Sequence, residues 1–585
     1  MRTRLGSALA LTALFALGLG GPAHGTLPIG PQFRVSQTGV DGDPERGASR
    51  GPGVAYNPQA NEYLIVWSAD GLATDNEYEI FGQRLSAAGA ELEGDFRIST
   101  TGTDGDPDRR ARNPSVAYNS QAAEYLVVWE ADGLATDDEY EVFGQRLSAA
   151  GAELGGDFRI STLAVDGDSA RKIEDPAVAY NQQTNEYLVV WEGDGQLNDN
   201  EYEIFGQLLS AGGGELGGDF RVSNTGPDGD ANRDAINAAV IFNSQANEYL
   251  VAWNGDGIAD EEHELFGQRL SAAGGELGGD FRISNAGMDG DPNRTVGDPT
   301  LAYNSQANEY LAAWEADGLA TDDEYEVFGQ RLSAAGAELG GDFRISTTGS
   351  DGDANRSVED PAVAYSTQSS EYLVVWEADG LATDNEYELF GQGLSASGAA
   401  LGGVFRISVT GADGDTAREV EEPALAHNAA ANEYLVAWQA DGLATNDEFE
   451  IFARRLGPEP PPPAGPCTIT GTPGNDVLTG TVGDDRICAL GGNDRVFGLG
   501  GNDRIVLGPG RDRGFGGGGR DVILGGKGPD RLSGGRGRDR LFGQRGRDVL
   551  LARDRARDLV NGGRGFDRAR IDRRRDTRRS IERLF

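Results

Sequence analysis

The seven tryptophans of this chain, Trp67, Trp129, Trp191, Trp253, Trp314, Trp376 and Trp438, stand 62, 62, 62, 61, 62 and 62 residues apart. A period of that length limits the fold more than any other property of the sequence, because each repeat is then one supersecondary unit that buries its apolar face on its neighbours. Every copy carries the same four apolar stretches. In the third they run from Ala177 to Tyr180, Glu186 to Trp191, Ile204 to Leu209 and Phe220 to Ser223. They are short, rich in Val, Ile, Tyr, Phe and Trp, and bounded by Asn, Gly, Asp or Pro, so they read as four strands. The 88 glycines in 585 residues suit an all-β chain with many turns.

Seven four-stranded units point to a seven-bladed β-propeller, in which sheets pack face to face around an axis. The ends of the array support closure. The array opens at Phe33 to Ser36, a copy of a fourth strand, and ends at Phe452 to Leu456, a copy of a third. That orphan would complete the seventh sheet. The offset argues against an open solenoid and against two smaller rings. Acidic residues gather between the second and third strands, as in Asp132, Asp137, Asp138, Glu139 and Glu141, and before the first strand, as in Asp104, Asp106 and Asp108. An Asp-Gly-Asp element recurs there, at Asp41, Asp166, Asp228, Asp289, Asp351 and Asp413. One face of the ring is expected to be strongly negative, as a solvated surface or as blade-by-blade cation sites; neither loop has the spacing of an EF-hand.

A second period follows Gly457 to Pro466, whose proline run reads as a semi-rigid polyproline spacer. Asp476, Asp485, Asp494, Asp503, Asp512, Asp521, Asp530, Asp539 and Asp548 fall every nine residues, each with a glycine two positions before it. Asp558, Asp567 and Asp576 resume the period after a one-residue slip. Such a repeat supplies what calcium needs: carboxylate and carbonyl oxygens, glycines that turn the backbone, and an apolar residue that anchors a short strand. In Gly491-Gly492-Asn493-Asp494-Arg495-Val496 and Gly500-Gly501-Asn502-Asp503-Arg504-Ile505 the chain resembles the RTX, or hemolysin-type, calcium-binding repeat family. The resemblance covers about residues 467 to 585 and implies a parallel β-roll with calcium between its turns. It places the ligands at the aspartates just named, with Asn475, Asp484, Asn493 and Asn502 beside the first four. From the fifth copy the neighbour becomes Arg511, Arg520, Arg538 and Arg547, and a guanidinium there could pair with the Asp row in calcium's place.

Cys467 and Cys488 are the only cysteines. In an exported chain such a pair reads as a disulfide, since zinc would need about four ligands and no histidine is near. With two copies to a coil, the bond would staple the first coil to the next. The tail from Arg568 to Phe585 holds eight arginines and reads as a cap on the last coil, or as a basic contact to an anionic polymer or to the acidic propeller face.

Arg2 and Arg4, the apolar run Leu5 to Leu19 and the small residues at Ala23-His24-Gly25 read as a signal peptide over residues 1–25. The run is short of the roughly 20 residues that span a bilayer, so a secreted protein without a transmembrane segment is expected. The formal charge of -44 is uneven: residues 466–585 hold 25 basic and 16 acidic residues, and residues 1–465 hold 26 and 79. So acidic a propeller repels nucleic acid. The Gly-x-Ser-x-Gly spacing occurs once, at Gly47-Ala48-Ser49-Arg50-Gly51, where no helix follows to make a nucleophile elbow, and no His-Glu-x-x-His motif occurs. His263 and His427 replace tyrosines of other copies and read as drifted structural positions. Near-identical copies favour repeated binding over catalysis, although paired carboxylates leave glycoside hydrolysis open. Three classes follow: an extracellular binding or adhesion protein stabilised by calcium, with a polysaccharide or cell-wall polymer as partner; a polysaccharide-active hydrolase; or a structural surface protein.

Overall fold

The computed structural model describes residues 27–37, 48–70, 78–100, 110–132, 140–162, 173–194, 202–224, 234–256, 263–285, 296–317, 325–347, 358–379, 387–408, 420–441, 449–457 and, apart from 564, 573, 574, 580, 582 and 585, 467–585. The expected signal peptide, the proline-rich spacer, the Asp-Gly-Asp elements and Asp104, Asp106, Asp108, Asp137, Asp138 and Glu139 lie outside these residues, as does the acidic face inferred from them. The chain divides into two compact units, Met1–Glu459 and Pro460–Phe585.

Each 62-residue repeat folds as an antiparallel sheet. In the third the strands are Ile173–Asn181, Glu186–Asp194, Tyr202–Ser210 and Phe220–Arg221, bonded in chain order. The second strand is buried on both faces, which explains why it reads as a continuous apolar run rather than an alternating one. Tyr187, Val189 and Trp191 pack toward the preceding blade, and Leu188 and Val190 toward the following one. The turn into that strand is held by Asn181, whose Oδ1 accepts from the amides of Gln183 and Thr184 at 2.8 and 3.2 Å.

Seven such sheets close a β-propeller. Seven apolar clusters fill the spaces between blades, with every tryptophan fully buried. The first strands of successive blades touch one another all the way round, from Ala48–Asn57 in blade 1 to Val420–Asn428 in blade 7 and back. Leu27–Arg34 supplies the fourth strand of blade 7, pairing Phe33 with Ala453 and Arg34 with Phe452. Asp132 and Glu141 are buried ends of strands rather than loop residues, and Glu141 is paired with Arg159 on the fourth strand. All seven blades repeat that pair.

The second unit is a parallel β-roll of two seven-stranded sheets. Successive strands alternate between sheets, so residues 18 apart become neighbours, as Ile487 with Ile505 and Ile505 with Ile523. The apolar position of each nine-residue copy points inward: Ile487, Val496, Ile505, Ile523, Leu532, Leu541, Leu550 and Val560 are fully buried in one stack. The basic tail extends both sheets by a further strand each, Thr577–Arg579 and Arg583–Leu584, with Ile581 and Leu584 against the end of the core.

Candidate functional site

The roll gathers its aspartates into a buried ladder. Oδ1 of Asp503 accepts the amide of Asp485, one coil earlier, at 2.9 Å. The same bond joins Asp494 to Asp476, Asp512 to Asp494, Asp521 to Asp503, Asp530 to Asp512, Asp539 to Asp521 and Asp548 to Asp530, at 2.8 to 3.0 Å. The second oxygen divides the row in two. In Asp476 and Asp485, Oδ2 accepts from the amide and hydroxyl of Thr472 and Thr481, which holds the Asp485 carboxyl below its usual range. From Asp494 through Asp503, Asp512, Asp521, Asp530, Asp539 and Asp548, Oδ2 is buried without any hydrogen-bond partner. Burial, helped by neighbouring aspartates, pushes these carboxyls up, to about 6 for Asp512 and about 7 for Asp521, Asp530 and Asp548.

The residue before each aspartate faces the other way. Asn475, Asp484, Asn493 and Asn502 are exposed, and their side chains accept the amides of Asn493, Asn502, Arg511 and Arg520 one coil on, at 2.6 to 2.9 Å. Arg511, Arg520, Arg538 and Arg547 stand in the same exposed row, away from Asp carboxylates that are about 1% exposed; Arg547 lies over the Phe566 ring at 5.7 Å. Pairing of these guanidiniums with the Asp row in calcium's place, the alternative that the sequence leaves open, is therefore not what this geometry provides. Alternation of inward and outward positions along a strand separates the two rows.

The orphaned oxygens are matched by carbonyls. A Cβ placed on Gly525 would meet Asp530 Oδ2 at 2.7 Å and the Gly543 carbonyl oxygen at 2.8 Å. On Gly516 it would meet Asp521 Oδ2 and the Gly534 carbonyl oxygen. Glycine at this position keeps open a notch where a carboxylate and a carbonyl from the next coil come together. An all-oxygen donor set of that kind fits calcium. Residues 468–496, 480–514 and 515–550 match the RTX calcium-binding nonapeptide repeat. Residues 468–550 of this roll are RTX repeats. RTX nonapeptide repeats bind calcium ions, and the match takes in the arginine-rich copies as well as the earlier ones. No curated protein is detectably similar to the chain. The RTX array begins at a covalent link: Cys467 and Cys488 form a disulfide with Cα atoms 5.9 Å apart, tying the strand Ile469–Thr470 to its neighbour Arg486–Cys488.

The propeller has its own acidic site, which the sequence does not announce. Most first strands break register near their start, and the residue at the break takes a positive φ in Asn113, Asp175, Asn237, Asp360 and Glu422. The glutamate after the tryptophan of one blade caps that residue's amide in the next: Glu130 caps Asp175 at 2.9 Å, Glu192 caps Asn237 at 2.6 Å and Glu377 caps Glu422 at 3.0 Å. Burial first, and then neighbouring carboxylates, raise Glu192 to about 8 and lift Asp360 and Glu377 as well. These positions also differ from blade to blade, so the copies are not interchangeable here. Asn254 and His263 replace Glu and Tyr together in blade 4 and bond to each other at 2.9 Å. His427, by contrast, lies 4.9 Å from Tyr434 as Tyr180 lies 5.3 Å from Tyr187, a structural exchange. The signals available in the sequence are the paired change at Asn254 and His263 and the single 61-residue spacing.

Among solved structures the chain is similar to the polysaccharide lyase Uly1, with 9% identity over 74% of this chain and 99% of that one and a TM-score of 0.44. An ulvan lyase of family PL25 aligns with 8% identity over 72% and 95% of the two chains and a TM-score of 0.45. The α-L-arabinofuranosidase Arb93A from Fusarium graminearum aligns with 13% identity over 61% and 95% and a TM-score of 0.39. The activities are those of the proteins named.

Proposed function

We propose that this is a secreted binding or adhesion protein in which calcium bound along the RTX array stabilises the roll, while the propeller presents the ligand-binding surface. The observation that carries the calcium part is the unbroken series of buried, unpartnered Oδ2 atoms from Asp494 to Asp548. An unpaired buried carboxylate is costly, and a divalent cation held between it and the facing carbonyls removes that cost. In this reading Asp494, Asp503, Asp512, Asp521, Asp530, Asp539 and Asp548 hold the ions. Asp476 and Asp485 are served by threonines, and Asn475, Asp484, Asn493 and Asn502 act as outer backbone caps. The basic tail closes the core. Export fits the amino-terminal sequence pattern, the disulfide and the supply of calcium outside the cell; among the described residues no helix is long and apolar enough to cross a membrane.

Calorimetric titration of the full chain after chelation tests this. Several calcium equivalents should bind with release of protons, and Asp530→Asn should weaken binding while Asp484→Asn changes it little. A titration without heat, or equal effects of the two substitutions, would sink the assignment. A second reading, a polysaccharide-active hydrolase, draws on one observation, the local loss of sevenfold equivalence around Asn254 and His263. Release of reducing ends from polysaccharides incubated with the protein would favour it.

A further inference from the structure

The connection from Trp253 to His263 is one residue shorter than that from Trp191 to Tyr202, and blades 4 and 5 depart from the common pattern. Asn254 cannot do the work of the glutamate it replaces. Its Nδ2 donates to the Val296 carbonyl at 2.6 Å and its Oδ1 is engaged by His263. The amide of Asp298 is capped instead by Glu315 of its own blade, through Oε1 at 2.7 Å. The first strand of blade 5 shrinks to Thr300–Asn304, whereas its counterpart in blade 4 runs Ala235–Asn243. A cavity of about 540 Å³ results, lined by residues that include Asn254, His263, Asp298, Glu315, Tyr325 and Asp360.

The lining sets the chemistry of the occupant. Glu315 is 8% exposed, and its Oε2 is buried with no hydrogen-bond partner. Among the described residues no Lys or Arg lines it. Burial first, and then neighbouring carboxylates, raise all three carboxyls: Asp298 and Asp360 act on Glu315, Asp298 and Glu422 on Asp360, and Asp175 and Glu422 on Asp298, so an occupant without positive charge leaves this cost in place and a cation relieves it. The volume suits a small organic molecule rather than a bare ion, and among the described residues no three His, Cys, Asp or Glu side chains are placed to share one metal. Asn254, His263 and Tyr325 add donors and acceptors for hydroxyls and an aromatic face for a cation.

We propose that this cavity binds an amino sugar carrying a free ammonium group, with the ammonium on Glu315 Oε2 in the field of Asp298 and Asp360 and the ring hydroxyls on the amide, imidazole and phenol groups around them. The proposal rests on the reading of the propeller as the ligand-binding part. The test is calorimetry of the calcium-loaded full chain with glucosamine oligomers and, in parallel, N-acetylglucosamine oligomers, which share the ring and lack the charge. Glucosamine oligomers should bind, the acetylated ones about tenfold or more weakly, because a charge-assisted bond is lost. Glu315→Gln keeps the acceptor for the Asp298 amide and should weaken binding about tenfold without lowering the melting temperature; Asp360→Asn should act likewise. Equal binding of the two oligomers, no effect of either substitution, or equally tight binding of spermidine would overturn the proposal. Binding of a neutral glycan that survives both substitutions would overturn it while leaving the propeller a ligand-binding part; no glycan binding at all would overturn both.

Discussion

Asn61, Asn185, Asn247, Asn308 and Asn432 adopt positive φ at the same hairpin turn, where asparagine tolerates the left-handed region best after glycine. Each also accepts a bond from the blade before it, as Asn185 does from Asn119 at 2.9 Å and Asn61 from Asn428 at 3.0 Å across the ring closure. Blades 2 and 6 carry Ala123 and Ser370 at this turn, still at positive φ, and the donors facing them, Asn57 Nδ2 and Asn304 Nδ2, are buried without partners. Ala123→Asn and Ser370→Asn should each stabilise the propeller by about 1 kcal/mol, from a restored hydrogen bond and relieved backbone strain. The blades are distant enough for the two gains to add. Thermal denaturation of the single and double variants checks this, and a melting temperature that fails to rise in either single variant counts against it. At this scale the sequence is a good guide where every copy agrees and a poor one where a copy deviates. His427 and His263 look alike as exchanges for tyrosine, yet one packs against Tyr434 and the other lines a cavity.

The roll carries its pH dependence in its ladder. Without calcium, Asp512, Asp521, Asp530, Asp539, Asp548 and Asp558 titrate at about 6 to 7, above the roughly 3.9 of an unfolded chain. A folded-state pKa that is raised favours the folded form most below the unfolded value, and this advantage is lost as pH rises through the folded one. The ion-free roll should therefore melt at a lower temperature at pH 7.5 than at pH 5. Calcium needs the ionised ladder, so the order should reverse when it is present. Scanning calorimetry of the full chain in chelator and in calcium, at both pH values, reads this directly; the same order in both would contradict the assignment of the Asp row. The nine-residue spacing makes the row, its apolar stack and its two-sheet architecture legible. It does not distinguish Asp476 from Asp530, because the difference lies in whether a threonine or a glycine stands four residues earlier and what that residue offers Oδ2.

At the scale of the whole molecule, the count of strands and their offset were enough to predict a closed ring, since a fourth strand without a third can only complete a third without a fourth. Periodicity alone could not say which residues come to line a cavity between blades 4 and 6, because a one-residue deletion acts through packing with neighbours rather than locally. Removing residues 27–36 should strip blade 7 of its outer strand and expose the edge of Phe449–Gly457. It also takes Val35, fully buried between blades 7 and 1, out of the core. A loss of several kcal/mol and a tendency to self-associate are expected, measurable by denaturation and light scattering; an unchanged midpoint would mean that the ring does not depend on its closing strand.

The closing strand also has a waiting time. Ser36 bonds to Ile451, 415 positions away in sequence, so in amino-to-carboxyl synthesis or export its partner appears only after nearly all the intervening blades. Until then it is an unpaired strand looking for an edge, and six unfinished sheets offer one. Pro28 and Pro31 have no amide to donate to any of these edges. The few residues that lock the finished ring are thus the last to be paired, and the slow step of assembly should be the search for a single distant partner.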